Sequence, residues 1–266
     1  MPINKTNNMP IEKVVSIKNV SKNYGDIQAV KDVTFSVEKS QTLGLLGSNG
    51  AGKTTIIMML LGILKSSSGQ INILYKDIYK YRNLISKEIN FASPFVELPH
   101  KLTVLQNLTV FGHIYGVKNL SMKIEKLSKD LDIQDLLKRR VGKLSAGQKT
   151  RVSIAKSLIN DPKILFLDEP TASLDPDNAD WIRTYLEQYQ NTNGSTFIIA
   201  SHNMLEVERM CNNVIMMGRG KVIDYGTPKE LVDRYETRTL EQVFLQLARN
   251  DTVSYTHLTL PTTPYV

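Results

Sequence analysis

Gly47-Ser48-Asn49-Gly50-Ala51-Gly52-Lys53-Thr54 joins an apolar run, TLGLLG at residues 42–47, to TTIIMMLLGILK at residues 54–65. The octet has the pattern GxxxxGK[ST], which carries meaning only between a buried strand and a helix, and these flanks predict both. Glycines are needed because backbone N–H groups must turn inward around phosphate oxygens, a conformation that side chains obstruct. The helix beyond adds the positive end of its dipole. Gly47, Ser48, Asn49, Gly50, Ala51, Gly52 and Thr55 are thus candidate cradle residues. Lys53 supplies a point charge to the β- and γ-phosphates of a nucleotide, and the Thr54 hydroxyl is a candidate magnesium ligand.

A cradle alone hydrolyses nothing; it needs a carboxylate for the metal and a group to activate water. Residues 164–169, ILFLDE, supply both. Four apolar residues predict a buried strand with Asp168 at its C-terminal end, the edge at which α/β sheets bind ligands, so Asp168 faces the magnesium. Glu169 follows as candidate general base. Between the two motifs lies Leu144-Ser145-Ala146-Gly147-Gln148, in which Ser145 and Gln148 have the spacing of a helix capping box.

Outward from these motifs, apolar and β-branched runs at 14–20 and 32–37 predict strands. Residues 103–160 read as a helical insert, opened by Thr103 and Gln106 in capping-box spacing and stopped by Asp161-Pro162. A helix at 177–190, a strand at 196–201 and a short helix at 204–211 follow. Next come a hairpin around 218–220 and helices at 228–235 and 240–248. Strands alternating with helices predict an α/β fold whose mostly parallel sheet is covered on both faces.

The composition, 41% hydrophobic and 22% charged over 266 residues, is globular and excludes disordered and disulfide-scaffold classes. One cysteine, Cys211, permits neither an internal disulfide nor a zinc cluster and is expected to be a small buried residue. The longest apolar stretch, 56–64, is about half of the roughly 20 residues that cross a bilayer. The opening MPINKTNNMP has no secretory-signal pattern, so the expected compartment is cytoplasmic. Of the net charge of +7, +6 falls between 118 and 151, where a solvated helical face or an anion-facing surface are both open. The string VSYTHLTLPT at 253–262 is uncharged and resembles the translation of a transposon-end sequencing adapter. Residues 253–266 are therefore expected to be a non-native tail.

Taken together, the glycine loop, LSAGQ, Asp168 lying 23 positions after Ser145, SLD at 173–175 and His202 resemble the nucleotide-binding subunit of an ATP-binding cassette (ABC) transporter. The resemblance implies a P-loop ATPase core, an N-terminal antiparallel β subdomain and a helical subdomain at about 95–160 carrying the signature motif, all in one domain over 11–251. It implies ATP and Mg2+ as ligands, with Tyr24 stacking on adenine. Ser145, Ala146, Gly147 and Gln148 form the signature facing the ATP of a partner subunit, with Ala146 where the family usually has Gly. His202 resembles the switch histidine that reaches the γ-phosphate, which with Glu169 completes the catalytic pair. Asp175 resembles a residue that communicates across the dimer.

One position departs from the family. Where a glutamine is usual after a strand, INFASPFVELP has Ser93 and Pro94, and Gln106 lies in the next helix. GTPKEL and LEQVFLQLA resemble the branch that serves separately encoded export permeases. The implied partners are a transmembrane permease and a second ATPase subunit, identical or different, with membrane contact only through the permease and no direct nucleic acid. The alternative is a soluble regulatory or nucleic-acid-associated ATPase. Against its long-insert forms stands the distance from Lys53 to Ser145, 92 positions.

Overall fold

The computed structural model describes residues 12–93, 96–172 and 174–253. Expectations about Pro94, Ser173 and residues 254–266 lie outside the described residues.

The N-terminal strands β1 (Lys13–Tyr24) and β2 (Ile27–Glu38) form an antiparallel hairpin, longer at both ends than the apolar runs predict. With β4 (Ser68–Ile73) and β5 (Lys76–Asp77) they make a sheet of order β2-β1-β4-β5. The second sheet contains β3 (Thr42–Gly47), β6 (Ile89–Ala92), β7 (Ile164–Asp168), β8 (Thr196–Ser201), β9 (Asn213–Gly218) and β10 (Lys221–Gly226). Its order is β10-β9-β3-β8-β7-β6. Neighbours run parallel except β10, which returns antiparallel from β9 through the predicted hairpin.

The central strands are apolar throughout because both faces are covered. In β7, Leu165 and Leu167 face one hydrophobic cluster while Ile164 and Phe166 face the other; in β8, Phe197 and Ile199 alternate with Ile198 and Ala200. The first cluster packs under α5 (Ala146–Ser157), α6 (Pro176–Asn193) and α7 (Met204–Met210). The second fills the space between the two sheets and around α1 (Lys53–Leu60). Cys211 is buried in the first cluster, and burial pushes its thiol well above the usual range.

The insert contains α3 (Val104–Tyr115), α4 (Leu120–Asp130), two single 3-10 turns and α5. Both predicted capping boxes form: Gln106 N–H donates to Thr103 Oγ1 at 3.1 Å and Gln148 N–H to Ser145 Oγ at 3.3 Å. Helix α1 ends at Leu60 rather than 65, because Gly62 adopts a left-handed conformation with φ +66°. The short helix α2 (Arg82–Ile85) and strands β4 and β5 were not legible as elements. Helix α8 (Pro228–Arg234) carries a third capping box, and α9 (Leu240–Val253) runs five residues beyond its expected end.

Candidate functional site

The glycine loop springs from the C-terminal end of β3, the central strand between β8 and β9. Two of its glycines are sterically required. A Cβ on Gly47 would stand 2.6 Å from the Met217 carbonyl oxygen, and Gly52, the N-cap of α1, has φ +104° with the Ala29 carbonyl 2.8 Å from a Cβ position. The β9–β10 turn clamps the loop from outside: Gly220 N–H donates to the Ala51 carbonyl at 3.1 Å, and the Gly220 carbonyl accepts from Lys31 N–H at 2.7 Å. Ser48, Asn49 and Gly50 remain exposed at the tip.

Lys53 is 7% exposed and its ammonium arches over the loop, donating to the carbonyls of Gly47 at 2.6 Å and Ser48 at 3.2 Å. Burial lowers its pKa, and the carboxylates of Glu169 and Asp168 oppose that shift. The Thr54 hydroxyl donates to Asp168 Oδ2 at 3.3 Å, across 114 residues of chain. Burial raises the Asp168 pKa, the Thr54 hydrogen bond lowers it, Glu169 raises it and Lys53 lowers it. A buried carboxylate pressed by a second one and joined to a hydroxyl is a set of hard oxygen donors suited to magnesium, which takes few protein ligands beside phosphate oxygens. Among the described residues no three His, Cys, Asp or Glu side chains are placed to hold a metal ion by themselves.

Glu169 follows Asp168 with φ +55°, its N–H bound to the Ala200 carbonyl at 2.8 Å. This turn aims the side chain across the end of the sheet, where Oε1 lies 2.7 Å from His202 Nδ1. The histidine ring is 66% exposed and the glutamate 12%, so the ring stands over the carboxylate. With Nδ1 donating to Glu169, the His202 Nε2 edge is left for a ligand. Thr54, Asp168, Glu169, His202 and Lys53 therefore meet at the C-terminal ends of β3, β7 and β8. Tyr24 sits half-exposed at the tip of the β1–β2 hairpin, 5.1 Å beneath the Lys22 ammonium.

A second group lies at the N-terminus of α5. Ser145 and Ala146 are exposed, and Gly147 and Gln148 line a polar cleft with Arg139, Arg151 and Asn178. Asp175 caps α6, accepting from Asn178 N–H at 3.0 Å and Asn178 Nδ2 at 2.7 Å, contacts that hold its carboxyl below the usual range. Ser93 is buried at the end of β6.

Residues 30–172 match the ABC transporter family. The chain belongs to that family. Its place there is the ATPase subunit, and its fold is that of ABC ATPase domains. It is 34% identical over 239 residues to the ABC transporter ATP-binding protein NatA of Bacillus subtilis, covering 87% of this chain and 97% of that protein. The Nod factor export ATP-binding protein I of Rhizobium sp. is 35% identical, covering 83% and 73%. The solved structure of cbiO1 from Clostridium perfringens, part of the ABC transporter complex cbiONQ, superposes with a TM-score of 0.75 at 32% identity, covering 91% of this chain and 99% of that one.

Sequence reasoning missed Glu206 on α7. It is 1% exposed, accepts from the Thr171 hydroxyl at 2.8 Å and leaves its second oxygen without a partner among the described residues. Burial pushes its carboxyl above the usual range, against the hydrogen bond from Thr171. Its position four residues after His202 was visible, but the burial that gives it meaning was not.

Proposed function

We propose that this ABC ATPase subunit powers export: two copies, or one copy and a related subunit, close on two Mg-ATP and drive a separate transmembrane permease. The observation that carries the hydrolytic part is the Glu169–His202 contact beside Asp168 and Thr54. Lys53 would compensate the β- and γ-phosphates, the inward N–H groups of Gly47 to Thr55 would hold the phosphate oxygens, and Tyr24 would stack on adenine. Thr54 and Asp168 would hold magnesium, which when bound neutralises phosphate charge. Glu169 accepts the proton of the attacking water, and the His202 ring, steadied at Nδ1, presents Nε2 to the γ-phosphate. Ser145, Ala146, Gly147 and Gln148 face the nucleotide of the partner, and Asp175 communicates across the interface.

The transport reading is supported by relatives that serve transporters, and the name of the Nod factor protein favours the export branch over a soluble nucleic-acid or regulatory role. A position on the cytoplasmic face of the membrane, held by the permease, suits a chain in which no helix among the described residues is long and apolar enough to cross a bilayer. The decisive experiment is Glu169→Gln. ATP binding should persist, phosphate release should fall at least roughly 100-fold, and sedimentation should show an ATP-bound dimer. Near-normal turnover removes Glu169 from the base role.

A further inference from the structure

Arg151 lies on α5 just beyond the exposed signature residues, and it gathers three separate segments of chain. Nη1 reaches Asp132 Oδ2 at 2.9 Å in the turn after α4, and Nη2 donates to Asn178 Oδ1 at 2.9 Å in the first turn of α6. The guanidinium plane covers the Trp181 ring at 4.3 Å, and Trp181 in turn stacks on Tyr185. The Asp132 contact is weak because that side chain is 86% exposed. The stack and the Asn178 bond are the stronger half.

Asn178 works as a polarity adapter. An arginine only donates and a carboxylate only accepts, so one end of the amide must face Arg151 and the other Asp175. Its Nδ2 and backbone N–H engage both oxygens of Asp175. A Cβ placed on Gly147 would lie 3.8 Å from the same amide, an ordinary van der Waals distance, so the signature glycine stands beside the bridge.

We infer that Arg151 and Asn178 are positioning residues, a bridge that holds the signature end of α5 in register with the Asp175 turn, so that two surfaces proposed to meet the partner subunit move as one. This rests on the dimer reading above. It assigns neither residue a contact with nucleotide. Arg151→Lys keeps the charge but loses the planar fork and the flat stack on Trp181. Asn178→Asp keeps the size but sets a carboxylate against Asp175.

Both variants are placed in the Glu169→Gln background, and the dimer dissociation constant with ATP, the single-subunit ATP affinity and the melting temperature are measured. Each should weaken ATP-driven dimerisation about tenfold, change single-subunit ATP affinity less than about twofold, and combine less than multiplicatively. If Asn178→Asp does not fold, Asn178→Ser takes its place. Unchanged dimerisation, fully multiplicative effects, or a parallel loss of ATP affinity overturns the bridge. A parent that stays monomeric with ATP overturns the dimer reading and the bridge with it, whereas a parent that dimerises while the variants match it overturns the bridge alone.

Discussion

The glycine loop and the signature segment are both helix N-termini, yet they are built in opposite ways. The loop is walled by the central sheet, its lysine and the neighbouring Asp168 are 7% and 6% exposed, and its glycines are held by backbone contacts on two sides. The signature end of α5 presents Ser145 and Ala146 outward and is steadied by side chains, with Gln148 and Ser145 capping each other and Arg151 and Asn178 beneath. A charge-dense ligand needs desolvated, preorganised donors on one side. A surface that meets a second subunit needs exposure and room to move. On the function proposed above, affinity for the nucleotide would reside in the first region and control of assembly in the second.

The sharpest way to break that division is Asp168→Asn, which removes the charge of the proposed metal ligand at the end of β7. Magnesium-dependent turnover should fall by roughly a thousandfold, read as phosphate release, and activity within tenfold of the parent would take Asp168 out of the metal role. Lys53→Ala should cost about 100-fold or more in ATP affinity by calorimetric titration, since the proposed charge-assisted phosphate contact would be lost. Retained tight binding would move the affinity out of the loop.

At the end of α5 opposite the signature stands Lys156, whose ammonium donates to the Phe91 carbonyl at 2.8 Å and lies over the Phe111 ring. Burial lowers its pKa from 10.5 to about 8. The unfolded amine takes up its proton near the ordinary value and the folded one only near 8, so between these values the unfolded state holds more protons. Stability therefore falls as pH drops through that window and levels off below it. Denaturant titration should show the parent gaining about 2 kcal/mol between pH 8 and pH 10 relative to Lys156→Met; equal slopes would mean that this packing does not desolvate the amine. The smallest effect is expected from Ser93→Ala, which should leave turnover within about twofold because the hydroxyl is a poor substitute for a glutamine amide. A collapse of phosphate release with ATP binding intact would give Ser93 the glutamine's work and tie the end of β6 to the hydrolytic site.

Much of this was legible along the chain because it depends on neighbours in sequence. A glycine turn, a Ser145–Gln148 cap and a buried ILFLD strand are set by backbone conformation and apolar periodicity within a few residues, and each formed where its pattern stood. The polar and short segments β4, β5 and α2 gave no such pattern, and they owe their form to the sheet and loops they complete. What no local pattern contains is the strand order. Only the arrangement β3-β8-β7 sets the ends of three distant strands side by side, bringing Thr54 to Asp168 and His202 to Glu169. The same packing buries Glu206 against Thr171 and closes Arg151 on Asn178. Turns and caps are short-range consequences of residue type, whereas side-chain adjacency and desolvation arise only when the whole core excludes water, which is why the chemistry of the site was decided in three dimensions.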